Sequence, residues 1–424
     1  MTYALGLDFG TSGARAIAID GAGTIVAQTQ QSFTEQTSVV WRSVLESLIL
    51  DLGAEVRAEV KAIAINGTSS TSLLCDGSGV PLMEPLMYND DRAKGFVEGL
   101  RAIAPPNHTV LSATSSLAKL LYFQEQQAFG QARYFLHQAD WIAAQLHGTW
   151  GVSDYHNSLK LGYDVVNLRY PDWLRGRFEP LLPRVVAPGT AIGLVISNVA
   201  DRLGLPRDCQ VYAGTTDSIA AFLASGVRWS STDHRSSLGE AVTSLGSTLV
   251  IKLLSDRRVE DSRYGIYSHR LGNLWLVGGA SNTGGAVLRK FFEDGAIAEL
   301  SGRIDVDRPS GLDYYPLTQP GERFPINDPG LEPRVEPRPE DPVRFLQGLL
   351  EGMARIEAEG YRLLRDLGAT APASVVTAGG GAKNLAWMAI RGRCLGIPVA
   401  AALQQEAAYG SARLAFLSHQ AVNW

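Results

Sequence analysis

Twice in this chain a short apolar strand runs into a turn of small, hydroxylated residues and returns as a second strand. The first copy is Leu5-Gly-Leu-Asp8-Phe-Gly10-Thr11-Ser12-Gly13, followed by Ala16-Ile-Ala-Ile-Asp20. The second is Glu240-Ala-Val-Thr-Ser-Leu-Gly246-Ser247-Thr248-Leu-Val-Ile-Lys252. Leu5, Leu7 and Phe9 alternate as one face of a strand should. Only small side chains let the turn's backbone N–H groups, and the hydroxyls of Thr11 and Ser12, come close to a polyphosphate. A lone Gly-rich hairpin would be a weak signal. Two on the same plan predict two related halves whose turns face each other across one phosphate chain.

Length agrees with two halves. At 424 residues the chain exceeds a single core, and two domains of about 200 residues are expected. A composition of 45% hydrophobic and 19% charged residues excludes wholesale disorder and fits a soluble enzyme. The net charge of -5, with no basic stripe, argues against a nucleic-acid partner. No apolar run reaches membrane-spanning length, and the start lacks a signal-peptide pattern. Cys75, Cys209 and Cys394 are too scattered for a disulfide framework or a zinc site, and no His-x-x-x-His pair occurs. A reduced, cytoplasmic protein without a tightly held transition metal is expected.

Between the two turns, Trp41, Val44, Leu45, Leu48 and Ile49 fall at i, i+3, i+4, i+7 and i+8, an apolar helical stripe. Lys61–Ile65 reads as a strand leading into the hydroxylic loop Asn66-Gly-Thr-Ser-Ser-Thr-Ser72. Residues 115–148 read as helical, broken near Gly130. Gln210–Ala213 is a strand, and Gly214-Thr-Thr-Asp217 opens a helix from Ser218. Nine of the twenty prolines fall within 305–342, so that stretch is an ordered loop or connector. Phe345, Leu349, Leu350, Met353 and Ile356 form another stripe. The strand Ser374–Thr377, the turn Ala378-Gly379-Gly380-Gly381-Ala382 and a helix from Asn384 then make an anion or nucleotide contact. That turn is neither a Walker A motif nor a complete G-x-G-x-x-G. Antiparallel strands followed by helix–strand alternation give mixed sheets with helices on their faces: an α/β chain.

Taken together, these segments resemble the FGGY carbohydrate kinases of the actin/hexokinase/Hsp70 ATPase superfamily, along nearly the whole chain. The first phosphate motif is similar to Asp8-Phe-Gly-Thr11-Ser12-Gly13, the second to Leu245-Gly246-Ser247-Thr248, and the adenosine motif to Thr377–Asn384. Gly214–Asp217 resembles the start of the base-bearing helix. Further matches are Tyr88–Arg92, Gly279–Gly285, Gly321–Arg323 and Ser116-Leu-Ala-Lys119-Leu-Leu-Tyr122, which resembles the family signature with Tyr where Trp is usual. The resemblance implies two ribonuclease H-like α/β domains, 1–224 on the sugar side and 225–405 on the nucleotide side. A helix in 406–424 is expected to pack back on the first.

The implied activity is phosphoryl transfer from ATP, with Mg²⁺, to a sugar hydroxyl. Asp217 is the expected base, although Asp is also a good helix N-cap. Asp8 is expected to serve catalysis, sugar and metal, although a turn-forming Asp is the plain alternative. Thr11, Ser12, Gly13, Gly246, Ser247, Thr248, Thr283, Gly284, Gly380, Gly381, Asn384 and Trp387 are expected around the nucleotide. Ser72, Asn89 and Asp90 are expected, with Asp8 and Asp217, around the sugar. Xylulose, glycerol and gluconate kinases usually carry Gln or Gln-x-His where this chain has its hydroxylic loop. That loop and the compact length most resemble the cyanobacterial and plant D-ribulose kinase type, so D-ribulose comes first and D-xylulose second. The protein is expected to be a monomer or homodimer. An Hsp70- or actin-like ATPase and a sugar-sensing pseudokinase are the alternatives from other classes.

Overall fold

The computed structural model describes residues 2–227 and 237–420. The chain divides into two compact units, one formed by 1–224 with 406–424, the other by 225–405.

The first unit is built on a six-stranded sheet of β1 (Tyr3–Phe9), β2 (Gly13–Ile19), β3 (Ile25–Ser32), β4 (Val60–Gly67), β9 (Ala191–Leu194) and β10 (Gln210–Thr216). The spatial order is β3-β2-β1-β4-β10-β9. β1, β2 and β3 form an antiparallel meander, and β4 and β10 then add parallel to β1. Two small sheets lie outside it: β5 (Ser72–Cys75) with β6 (Tyr134–His137), and β7 (Val152–Asp154) with β8 (Arg184–Val186). The helix Ser38–Leu50 buries the predicted stripe of Trp41, Val44, Leu45, Leu48 and Ile49. Each such side chain contributes roughly 1.5–3 kcal/mol by leaving water. Thr37 caps the helix, its side chain accepting from the N–H of Val40.

Residues 115–148 are not continuous helix. Helices Ser116–Gln124 and Gln138–His147 flank strand β6. Phe135 and Leu136 are fully buried, so β6 is short and apolar on both faces, and a helical period does not distinguish it.

The second unit repeats the plan. Its sheet contains β11 (Glu240–Leu245), β12 (Leu249–Ser255), β13 (Tyr267–Leu271), β14 (Leu274–Ser281), β15 (Ser374–Ala378) and β16 (Val399–Ala401). Their order is β13-β14-β12-β11-β15-β16. β11, β12 and β14 are antiparallel neighbours, and β15 and β16 add parallel on the other side of β11. β11 thus has the same surroundings as β1. The proline-rich stretch up to 341 contains no helix, and helix Pro342–Asp366 begins with Asp341 accepting from the N–H of Val343. This helix buries Phe345, Leu349, Leu350, Met353 and Ile356.

Helix Ala407–His419 returns to the first unit, lying on β1 and on helix Asp217–Ala224. The approach is backbone to backbone. A Cβ on Gly6 would sit 2.0 Å from the carbonyl oxygen of Ala408, and one on Gly410 would sit 1.8 Å from that of Ala220. Only glycine fits at either crossing.

Candidate active site

In the first unit, β1, β4 and β10 run parallel, so their carboxyl ends open on one edge of the sheet, where α/β proteins place their chemistry. Asp8 stands near the end of β1, Asn66 near the end of β4, and Asp217 directly after β10. Asp8 is mostly buried, and this burial, with the charge of Asp217 adding to it, raises its carboxyl to about 7 against the pull of Arg15. Arg15 is its cross-strand partner on β2 and pairs with Gln30 and Glu406. The Oδ1 atom of Asp8 is buried with no hydrogen-bond partner. Asp217 is the first residue of its helix and accepts from the N–H of Ser218 at 2.6 Å. The capping geometry expected for a helix beginning at 218 is therefore displaced by one residue.

Thr11 and Ser12 are exposed at the tip of the β1–β2 turn. The N–H of Gly10 donates to the carbonyl of Gly13 at 3.0 Å, and the N–H of Phe33 donates to that of Ser12 at 3.0 Å. Gln36 donates to the carbonyls of Gly10 and Thr11 while accepting from Trp41 Nε1 at 2.8 Å. The turn's carbonyl oxygens are thus engaged from the protein side.

Asn66 donates to the carbonyl of Leu7 at 3.1 Å and to Ser411 Oγ at 2.8 Å, tying β4 to β1 and to the returning helix. Ser72 is fully buried, and its hydroxyl donates to the carbonyl of Ser70 at 3.0 Å. Asn89 is exposed, and Asp90 chelates Arg92, whose guanidinium holds its carboxyl below the usual range.

The segment 154–160 escaped the sequence reading. Asp154 is fully enclosed, accepts from the N–H groups of His156 and Asn157, and is raised to about 7 by burial and then by Asp140. His156 Nδ1 lies 2.7 Å from Thr215 Oγ1, which anchors the segment to β10. Burial lowers the Lys160 ammonium while the charge of Asp217 raises it, so a cation sits within electrostatic reach of Asp217. The buried Asn157 Oδ1, Ser158 Oγ and Thr216 Oγ1 have no partner. The only sequence signal was an unusual polar run between two apolar stretches.

The second unit holds a cavity of about 850 Å³. Gly246, Ser247, Gly380, Gly381, Asn384 and Trp387 line it, which brings together six residues singled out from sequence. Gly379 turns the chain from β15 with φ +86°, a conformation that suits glycine. Asn384 caps helix Leu385–Leu395 by accepting from the N–H of Trp387 and also donates to Ser301 Oγ at 2.8 Å. Trp387 belongs to the core and to the cavity wall at once, and its indole N–H is buried with no partner. Thr248, Thr283 and Gly284 are outside the lining. Thr283 is buried and donates to the carbonyl of Pro316 at 2.6 Å. Gly284 lies beneath the second turn, where a Cβ would come within 2.7 Å of Ser247 and Thr248 backbone. Both support the turn from behind. Arg289, not anticipated, lines the cavity and donates to Ser247 Oγ at 3.2 Å.

Residues 3–224 match the N-terminal domain of the FGGY family of carbohydrate kinases, and residues 241–419 match the C-terminal domain. The chain belongs to that family. Similar relatives include the xylulose kinase of Staphylococcus xylosus, 22% identical over 100% of this chain and 92% of that one. The xylulose kinase of Streptomyces coelicolor is 27% identical over 93% of this chain and 83% of its own. Among solved structures, the xylulose kinase from Rhodospirillum rubrum superposes with a TM-score of 0.82 at 22% identity, covering 98% of this chain and 90% of that one. Plasmodium falciparum glycerol kinase with ADP gives 0.81 at 17%, covering 99% and 90%. These likenesses establish the two-domain, actin/hexokinase-like α/β fold of an FGGY kinase. Both halves of the duplicated plan are accounted for by it.

Proposed function

We propose that this FGGY kinase transfers the γ-phosphoryl group of ATP to the terminal hydroxyl of a ketopentose, with D-ribulose the first substrate. The observation that carries the reading is the pair Asp8 and Asp217 at the open edge of the first sheet. One of them is raised to about 7 and presents an oxygen without a partner. Phosphoryl transfer asks for positioning and charge neutralisation more than covalent help. Asp217 takes the proton of the attacking hydroxyl, a bond forms from that oxygen to phosphorus, and the bond to the β-phosphate oxygen breaks. The orphaned Asp8 oxygen accepts from a sugar hydroxyl beside the reacting one, and Lys160 offsets charge next to Asp217. In the second unit, the cavity takes the nucleoside, with Gly380, Gly381 and Asn384 about the ribose and base and Trp387 at the wall. Gly246 and Ser247 with Arg289 meet the phosphates there, and Thr11, Ser12 and Gly13 supply the corresponding turn of the first unit. Thr248, Thr283 and Gly284 shape the second turn.

Among the described residues no group of three His, Cys, Asp or Glu could hold a metal ion by itself. Mg²⁺ commonly takes one or two carboxylates, water and substrate phosphates, so the unpartnered Asp8 oxygen fits a share of such a site. Bound with ATP, the ion would supply charge neutralisation at the phosphates.

The hydroxylic 66–72 loop favours D-ribulose. D-Xylulose is the second reading, favoured by the names of the curated relatives. A coupled ADP-release assay over D-ribulose, L-ribulose, D-xylulose, glycerol and gluconate separates them. The highest kcat/KM is expected on D-ribulose. A wide margin for D-xylulose would overturn the substrate choice, and ATP hydrolysis indifferent to every sugar would overturn the kinase reading.

A further inference from the structure

The signature segment Ser116–Tyr122 has no part in the chemistry above, yet it contains Lys119, one of the largest fully buried side chains of the molecule. An ammonium without water is costly unless charged or polar partners replace the solvent. No carboxylate lies within ion-pair distance of Lys119 among the described residues. Its Nζ donates instead to two backbone carbonyls, Ser70 at 2.8 Å and Met87 at 2.6 Å. Each carbonyl belongs to a different loop on the sugar side, and each already serves a second donor. The Ser70 oxygen also receives the Ser72 hydroxyl at 3.0 Å. The Met87 oxygen also receives the N–H of Asp90 at 2.9 Å. The loops touch directly through Ser72 and Leu86, whose N–H groups and carbonyls pair at 2.9 Å in both directions.

Ser70 adds an independent sign of constraint. Its φ is +71°, a left-handed backbone on a residue with a side chain, and its buried hydroxyl has no partner. Such a conformation persists where the surroundings over-determine it. The lysine carbonyl bond is at that residue.

We infer that Lys119 is a positioning residue, whose buried ammonium holds the Thr68–Ser72 and Met87–Asp90 loops in one arrangement and thereby sets affinity for the sugar. The sugar part of this rests on the kinase reading; the loop-holding part does not. Burial brings the Lys119 ammonium down to about 7, with Asp90 opposing that and Lys160 and Arg92 adding to it, as a charge held mainly by carbonyl dipoles would be. The sequence offers a reason for lysine here: arginine's planar fork cannot bring one nitrogen between two carbonyls as compactly.

The test compares Lys119→Met and Lys119→Arg with the parent by amide hydrogen exchange and by steady-state kinetics. In Lys119→Met, exchange is expected to accelerate at least 10-fold in peptides covering 67–75 and 84–92, with helix Ser38–Leu50 unchanged. The sugar KM is expected to rise at least 10-fold while the ATP KM stays within about twofold, and Lys119→Arg should recover part of both. Should Lys119→Met not yield folded protein, Lys119→Gln takes the same measurements. Unchanged exchange in both segments, or acceleration spread evenly over the first unit, would overturn the inference. If the parent phosphorylates no sugar, the kinase reading fails and the exchange pattern still decides the role of Lys119.

Discussion

At the scale of single residues, the two aspartates carry separable consequences. Asp217→Asn keeps the shape and removes the proposed base, and kcat should fall by about 10²–10⁴-fold with the ATP KM little changed. A parent kcat retained in Asp217→Ala would show that Asp217 is not the base, and sugar binding without turnover in parent and variant alike would mark a pseudokinase. Asp8 speaks through pH. Its folded pKa of about 7 lies above the ordinary carboxyl value of 3.8, so between these values the folded protein holds a proton that the unfolded chain has released. Stability contributed by this group is therefore present below about pH 4 and is lost as pH rises through 7. Asp8→Asn should melt higher than the parent at pH 8, by a difference on the order of 2–4 kcal/mol, and the gap should shrink towards pH 4. An equal gap at both pH values, measured by chemical denaturation, would remove the carboxylate's role. Asp8 and Asp217 were legible in sequence because each stands at the end of an apolar strand beside a run of small residues. Asp154, Lys160, Lys119 and Arg289 were not. Asp154 and Lys119 are marked out only by what folds over them, and Lys160 and Arg289 by the groups the fold brings beside them. A lysine within an apolar helix stripe looks like a solvated one until the helix is placed.

At the scale of elements, strands and helices with a clean apolar period were readable, including helices Ser38–Leu50 and Pro342–Asp366. Strand β6 was hidden because its buried run lacks alternation. Helix–helix contacts were hidden for another reason: they depend on buried polar partners distant in sequence. Glu357 on helix Pro342–Asp366 and Arg391 on helix Leu385–Leu395 are both fully buried and form a two-armed pair at 2.5 and 2.6 Å. Arg391 also donates to Thr377 Oγ1 on β15, and Glu357 accepts from Thr243 on β11. Removing one charge strands the other, so Glu357→Gln should cost about 3–5 kcal/mol of stability. Because Trp387 is one turn away on the same helix, the ATP KM should rise as well. A thermal melt within a degree of the parent would refute this. Gly410→Ala should cost about 3 kcal/mol and lower kcat, since the added methyl pushes against Ala220 on the Asp217-bearing helix. Full kcat in a folded variant would show that the helix has room to move.

At the scale of the whole molecule, the duplicated hairpin was the strongest clue, and both sheets do share one strand plan about β1 and β11. The proposed substrate choice was least legible, because it turns on loops such as 66–72, whose polar side chains are taken up by backbone carbonyls, by one another and by distant residues such as Ser411 and Gln138. If transfer requires sugar-driven closure, sugar and ATP together should protect the 10–13 and 245–248 turns from exchange more than either ligand alone. Equal protection by ATP alone would argue against it.

The division of the chain has its own kinetic result. The second unit interrupts the first between residues 224 and 406, and its two ends lie together, with Gly226 in van der Waals reach of Leu403. On a ribosome, the opening sheet must therefore wait for the helix that covers it until some 180 further residues have been made. At ordinary elongation speeds that delay is roughly 10–40 s, during which the apolar face of β1 lacks its lid.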